Sequence, residues 1–275
     1  MPEPSNPLLP ARRLKIWSFS PLLLIALFLT AACGGDGSAA LRVLAASSLT
    51  EAFNDVARAF EAENPEVTVA LDFGGSQRLR SQLEFGAKAD VFASADPAQM
   101  DLAVAAGLIR ETPVDFASNT LVVIATQEGR VSRLPDLARP GVRLALAHDG
   151  VPVGSYSRQV LRNLAQDGAL GLGAGFDVDA LANLVSEEPN VRLVAQKVAL
   201  GELDAGIVYQ TDVPAAQRSG EVRIIAIPAT ANVSARYPIA VLWDAPEADL
   251  AQAFVRFVLS EAGQHRLKEH GFGSP

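Results

Sequence analysis

The feature that most constrains this chain is an alternation, sustained from Leu41 to the C-terminal region, of short apolar runs with segments of helical periodicity. Leu41–Ala46 reads as a short strand, and Ser48-Leu49-Thr50-Glu51 after it has the S-x-x-E pattern of a capping box. Phe53, Val56, Ala57 and Phe60 then recur at helical spacing until Asn64-Pro65 stops the helix. Val67–Phe73 is the next strand, Gly74-Gly75-Ser76 turns into a helix ending near Gly86, and Asp90–Ser94 is a third strand. Asp96-Pro97 opens another helix with a cap followed by proline at the first helical position. The same reading predicts strands at Thr120–Ala125, Val142–Ala147, Ala205–Tyr209, Val222–Ile227 and Ile239–Leu242. It predicts helices at Ser155–Gln166, Val191–Gly201 and Glu247–Leu259, and loops at Asp167–Gly175 and around Glu187-Glu188. Strands alternating with helices of this length imply an α/β chain with parallel sheets flanked by helices on both faces. Length alone allows one sheet or two smaller ones.

The first 40 residues obey a different pattern. Arg12, Arg13 and Lys15 precede a charge-free run from Ile16 to Gly35, whose apolar heart, Leu22–Ala32, has 11 residues. A spanning helix needs about 20 mainly apolar residues, whereas a signal-peptide core needs about 7–15. The run ends in Leu29-Thr30-Ala31-Ala32-Cys33 and continues as Gly34-Gly35-Asp36-Gly37-Ser38. Small residues before a lone cysteine, then a glycine-rich tether, resemble a bacterial lipoprotein signal, with Cys33 as the lipidated first residue. Residues 1–32 are therefore expected to be a lipoprotein-type signal peptide, and residues 33–40 the lipidated Cys and flexible tether. Removing residues 1–32 takes away Arg12, Arg13, Lys15 and Glu3, and leaves 243 residues with a net charge of −10.

That composition excludes several classes. The full chain has 275 residues, 49% hydrophobic and 20% charged, too apolar and too weakly charged for global disorder. One Cys and three scattered His do not make a zinc cluster. An acidic chain lacks the basic face that nucleic acid needs. No G-x-x-x-x-G-K-[ST] and no G-x-S-x-G occurs, so phosphate-loop chemistry and a nucleophile elbow are unsupported. His148-Asp149 is adjacent in sequence, and His265 and His270 lie in a charged terminal helix; neither arrangement reads as a catalytic relay.

The chain has instead a series of strand-to-helix turns that open with small, neutral donors. A helix start leaves free backbone N–H groups and a positive dipole end, which together hold an anion. Ser48 and Ser76 sit at such starts in consecutive turns, and each hydroxyl either donates to a ligand or caps its own helix. Val151-Pro152-Val153-Gly154-Ser155 offers a third start and Asn190-Val191 a fourth, while Tyr209 ends a strand with a phenolic donor. Ligands in such sheets bind beyond the carboxyl ends of the strands.

Four segments carry a resemblance. Ala45-Ala46-Ser47-Ser48-Leu49-Thr50-Glu51-Ala52, Ala89-Asp90-Val91-Phe92-Ala93-Ser94-Ala95-Asp96, Val151-Pro152-Val153-Gly154-Ser155-Tyr156 and Gly206-Ile207-Val208-Tyr209 are similar, in order and spacing, to the periplasmic molybdate-binding proteins of bacterial molybdate ABC importers. The likeness runs from about residue 41 to residue 273. It implies a type II periplasmic-binding-protein fold: two lobes, each a mixed, mainly parallel sheet flanked by helices, with the ligand in the cleft between them. The expected division is lobe 1 at 41–118 plus 213–275 and lobe 2 at 119–212, with crossings at Thr120–Ala125 and near Tyr209–Pro214.

The family's oxyanion-binding positions fall here on Ser48, Ser76, Val153, Val191 and Tyr209. The serines and tyrosine would donate through hydroxyls, Val153 and Val191 through backbone N–H groups. The family has alanine where Val153 stands, and its serine-rich turn is here Gly74-Gly75-Ser76-Gln77-Arg78. Arg78 is expected to pair on the surface with Glu84 or Asp72. No catalytic residue, cation ligand or cofactor is implied; molybdenum would bind only as molybdate, or tungsten as tungstate.

The implied partners are an ABC permease and, through it, an ATPase. The protein would be an exported monomer, held to the membrane by its lipid anchor alone and facing the periplasm or the cell exterior. A receptor for sulfate or another oxyanion is the alternative within this class, and an exported two-lobed enzyme the alternative outside it.

Overall fold

The structure, a computed structural model, describes residues 39–275. The expected signal peptide and Cys33 lie outside the described residues, as does all but the end of the expected tether. Ala39 and Ala40, the last two tether positions, already belong to the first strand.

Ten strands form two five-stranded sheets. The first contains β1 (Ala39–Ala46), β2 (Val67–Gly74), β3 (Val91–Ala93), β4 (Val114–Asn119) and β10 (Ala235–Val241), in the order β2-β1-β3-β10-β4. The second contains β5 (Leu121–Thr126), β6 (Leu144–Ala147), β7 (Leu184–Glu188), β8 (Ala205–Tyr209) and β9 (Val222–Ala226), in the order β7-β6-β8-β5-β9. Each sheet has two parallel and two antiparallel pairings, and in each only one strand, β10 in the first and β5 in the second, runs against the other four, so both sheets are mixed and mainly parallel, as expected. The helices that bear on the site are α1 (Thr50–Glu63), α2 (Ser76–Glu84), α3 (Pro97–Ala105), α4 (Pro152–Gln166), α5 (Phe176–Ala182), α6 (Val191–Ala199) and α7 (Val213–Ser219). Two more, α8 (Ala248–Leu259) and α9 (Glu261–Glu269), close the chain.

β4 passes into β5 through Thr120 alone. The return crossing differs from expectation: β9 pairs with β5 along Val222–Thr126 to Ala226–Val122, so the second sheet extends to Ala226 and the chain returns through 227–234. Residues 213–226 therefore belong with the second sheet. The reason is long-range: the chain leaves α7 only two residues before Val222, and Val222–Ala226 completes its hydrogen bonds on the edge of β5, about 100 residues earlier in sequence. The two crossings are fastened to each other. Asn232 accepts from Leu121 N–H (3.1 Å) and donates to Leu121 O (2.8 Å), while Gln210 N–H donates to Thr120 O (2.8 Å).

Three further differences have physical reasons. β10 begins four residues earlier than the predicted strand because Pro238 sits at a register shift, where a missing N–H is tolerated. β4, half-exposed and polar at Asp115, Ser118 and Asn119, lacks the apolar run that marks a buried strand. Glu187-Glu188 is not a loop but the end of β7, where Glu188 is buried and takes Lys197 Nζ at 2.6 Å.

The lobe 1 core runs through an aromatic chain. Phe60 stacks edge-on against Phe254 (centroids 5.3 Å apart), Phe254 against Phe53 (6.2 Å), and Phe53 against Phe116 (5.5 Å). Phe116 then meets Tyr237 (6.3 Å), which meets Tyr209 of the second sheet (5.8 Å). Phe53 is fully buried at the centre of this chain. Phe53→Ala should lower the unfolding free energy by about 3–5 kcal/mol, read by urea denaturation of residues 38–275. A loss below about 1 kcal/mol, the range of surface substitutions, would contradict this packing.

Candidate functional site

Ser48, Ser76, Val153, Val191 and Tyr209, five residues spread over 162 positions of sequence, line one small cavity. The remaining lining comes from Ala46, Ser47, Gly74, Gly75, Ala95, Val151 and Pro152, so no charged side chain faces it. Its walls come from both sheets: the ends of β1 and β2 on one side, and the ends of β6, β7 and β8 with their following helices on the other.

Each donor is set by its local structure. Ser48 lies in a single 3-10 turn, Ser47–Leu49, between β1 and α1. The predicted capping box does not form: Thr50 Oγ1 donates to Ser47 O (2.7 Å), and Glu51 turns away to two arginines. The Ser48 hydroxyl, free of capping duty, instead shares a 3.0 Å hydrogen bond with the Tyr237 hydroxyl. Ser76 is the first residue of α2, and its Oγ accepts from Ala95 N–H at 3.0 Å. An accepted bond leaves its own O–H to donate elsewhere.

Val153 and Val191 contribute backbone. Val153 is the second residue of α4, where an N–H has no intrahelical partner. Gly154 follows because a Cβ there would collide with the carbonyl oxygens of His148 and Ala147, so the helix start presses close onto the end of β6. Val191 is the first residue of α6, capped by Asn190 Oδ1, which accepts from Leu193 N–H (3.1 Å) and leaves the earlier N–H groups to the cavity.

Tyr209 ends β8 and is 1% exposed, and its hydroxyl has no hydrogen-bond partner in good geometry. The nearby Tyr237 hydroxyl is already engaged by Ser48 and, at 3.4 Å, by Asn119 Nδ2. Burial holds the Tyr209 phenol well above its ordinary value, so at neutral pH it is a donor, not a phenolate.

Arg78 stays outside. Its guanidinium donates to Phe73 O (2.9 Å) and lies 3.5 Å from Asp72, whereas Glu84 is taken by Arg80. The three histidines also lie apart, near Glu187, Glu269 and Asp55 respectively, and none lines the cavity.

Behind the cavity lies a charge cluster that the sequence reading did not single out. Arg192, next to Val191, donates through Nε to Ser47 O (3.0 Å) and through Nη1 to Glu51 (3.0 Å), with a second contact from Nη2 to Glu51. Asp212, fully buried, has Oδ1 3.0 Å from Arg192 Nε, an ion pair without an aligned hydrogen bond. The only sequence signals were a charged residue in the first turn of α6 and an acid in the Gln-Thr-Asp-Val-Pro turn.

Burial raises the Asp212 carboxyl from 3.8 to about 6, against the pull of Arg192. The folded state therefore keeps a proton that the unfolded chain has already released between these values. Stability contributed by this group falls as pH rises from about 4 to about 6 and is level above that. Asp212→Asn cannot titrate. Its stability relative to the unsubstituted chain should rise between pH 4 and pH 7, by up to about 3 kcal/mol, in urea denaturation at each pH. A difference that does not change with pH would refute the assignment.

The model of a family described as bacterial extracellular solute-binding proteins matches residues 41–273. The molybdate-binding protein ModA of Mycobacterium tuberculosis is 39% identical over 242 residues, 87% of each chain. The substrate-binding domain of a putative molybdenum ABC transporter from Clostridium difficile superposes with a TM-score of 0.62 at 28% identity, covering 86% of this chain and all of that one. A periplasmic molybdate-binding protein of Azotobacter vinelandii superposes with a TM-score of 0.71 at 22% identity, covering 86% and 99%, a likeness of fold. With its two mixed sheets, its interlobe cavity and a family match over nearly all the described residues, the chain belongs to the bacterial extracellular solute-binding proteins.

Proposed function

We propose that this chain captures molybdate, and tungstate with it, outside the cytoplasm and delivers the anion to an ABC permease driven by a separate ATPase. The observation that carries this reading is the Tyr209 hydroxyl, fully buried and unpartnered, on the wall of a cavity shared with two serine hydroxyls and two helix N-termini. A buried donor without an acceptor costs about 1–3 kcal/mol. A tetrahedral dianion supplies acceptors to every wall of this cavity at once, and each contact is then a charge-assisted hydrogen bond, about twice as strong as a neutral one. The similarity to molybdate-binding relatives supports the same ligand class.

The donor set also explains selection. A shell made only of donors has no acceptor for a proton, so hydrogen phosphate would leave one unmatched. Sulfate has the same charge and shape as molybdate, and its rejection falls to cavity size. As a carrier the chain needs no nucleophile, and the donors lining the cavity have no histidine among them. We further propose that Cys33 carries the lipid that tethers a monomer to the membrane, and that closure turns on Thr120 and residues 227–234.

Calorimetric titration of residues 38–275 with molybdate, tungstate, sulfate and phosphate tests the ligand. Molybdate and tungstate should bind with sub-micromolar affinity, about −8 kcal/mol or better, and phosphate not at all. Tight sulfate binding would reassign the transporter, and binding of none would remove the reading. Tyr209→Phe gives an independent check. It should raise the stability of the ligand-free protein by up to about 1 kcal/mol, because an unsatisfied hydroxyl is gone, while weakening molybdate binding about 10- to 100-fold. An affinity unchanged by the substitution would place the anion elsewhere.

A further inference from the structure

Several side chains cross between the lobes, and they differ in kind: next to the Thr120 crossing, Asn119 donates to Thr211 Oγ1 (2.8 Å). Gln77 donates to Pro189 O (2.9 Å) and Gln99 to Gly150 O (3.2 Å), two neutral bonds at the cleft margin. Arg192 and Arg218, both from the second lobe, converge on Glu51 of the first. Arg218 is largely exposed, so its pairing is screened by solvent. Arg192 is not. Its guanidinium is mostly buried, and on the lobe 1 side it reaches both the Glu51 carboxylate and the Ser47 carbonyl.

The position of Arg192 matters as much as its partners. It follows Val191 at the start of α6, while Ser47 precedes Ser48 in the turn after β1. One planar guanidinium therefore ties together the two chain turns that present Val191 N–H and the Ser48 hydroxyl to the cavity. Asp212, beside it on the lobe 2 side, neutralises the same cation while the cleft is open, so opening does not leave it without a counter-charge. An arginine is suited to this, since its fork engages carboxylate and carbonyl simultaneously and a point-charge ammonium does not.

We propose that Arg192 is the interlobe clamp of this protein: a positioning residue that passes from Asp212 alone to Asp212 plus Glu51 and Ser47 as the lobes meet, and so sets how long the bound anion stays. The inference rests on the carrier reading above, but it concerns closure and not the identity of the anion. Neither Glu51 nor Arg192 lines the cavity itself, and Arg192 reaches its wall only through the Ser47 carbonyl, so the pair acts through the turn and helix start it holds. Electrostatic pairing formed on closing lowers the release rate and leaves the entry of anion into the open cleft nearly unchanged.

Glu51→Gln is the primary test, because it removes the cross-lobe negative charge and one of the two carboxylate oxygens, leaves Arg192 paired with Asp212, and alters a partly exposed side chain. Release of radiolabelled molybdate, chased with excess unlabelled anion, should be at least tenfold faster in Glu51→Gln and in Arg192→Lys, with the association rate within twofold of the unsubstituted chain and the ligand-free melting temperature unchanged. Release within twofold of the unsubstituted rate overturns the clamp. A second measurement needs no ligand. Spin labels at Ala87 on lobe 1 and Ala182 on lobe 2, both exposed positions, report the interlobe distance in the free protein. The short-distance population should shrink in Glu51→Gln, and an identical distribution counts against the clamp. If the unsubstituted chain binds no molybdate, the carrier reading fails and the distance measurement alone decides the clamp.

Discussion

An unpartnered hydrogen-bond donor in a dry cavity is unfavourable, and the rest of this structure is arranged around a set of such donors. Ser76 retains a free O–H because its lone pair is occupied by Ala95 N–H. The Tyr209 hydroxyl has no hydrogen-bond partner in good geometry, although Tyr237 lies beside it. Val153 and Val191 retain their N–H groups because helix geometry gives first-turn donors no partner, and the Asn190 cap serves Leu193 instead. Every wall is thus short of an acceptor, and an anion with oxygens in all directions relieves them together. No cation lines the cavity, so affinity depends on the number of aligned donors and on the exclusion of water.

The topology makes this possible. In both sheets the parallel pairs bring strand ends to the same edge: β1 with β2 in one, β6 with β7 and β8 in the other. The two edges face each other across the cavity, each strand end passing into a helix or a tight turn. Because the chain crosses between the sheets at Thr120 and again at 227–234, and Asn232 holds the crossings side by side, the lobes are joined at one edge only. Away from the crossings, Gln77 and Gln99 of the first lobe reach backbone carbonyls of the second, while Arg192 of the second lobe meets Ser47 and Glu51 of the first. Such an asymmetry, with the lobes fastened by two crossings on one side, is what the proposed closure requires.

Much of this was legible in the residues. The strand-to-helix turns that open with Ser48, Ser76, Val153 and Val191 are short-range patterns, set by small residues, prolines and caps, and the structure brings all of them together with Tyr209. The misses share a cause, which is that they depend on partners far away in sequence. Val222–Ala226 looks like any strand, and only the open edge of β5 assigns it to the second sheet. Glu188 beside Glu187 reads as solvated until Lys197 is placed next to it. Ser48-Leu49-Thr50-Glu51 satisfies the pattern of a capping box, but Arg192 and Arg218 draw Glu51 away. Arg192 and Asp212 carry only weak local signals, a charge in the first turn of α6 and an acid in a turn, since their roles come from lobe contact and burial.

The central claim is that neutral donors at short range, and not the charge of the protein, hold the anion. A chain of net charge −10 after removal of residues 1–32 repels a dianion at long range, and added salt screens that repulsion. The direct measurement is the molybdate affinity of residues 38–275 across a wide range of potassium chloride concentration. Held by neutral donors, the anion should bind with an affinity that is flat or rises modestly as salt increases. A steep fall with salt would mean that a cation attracts the ligand, and would contradict the account.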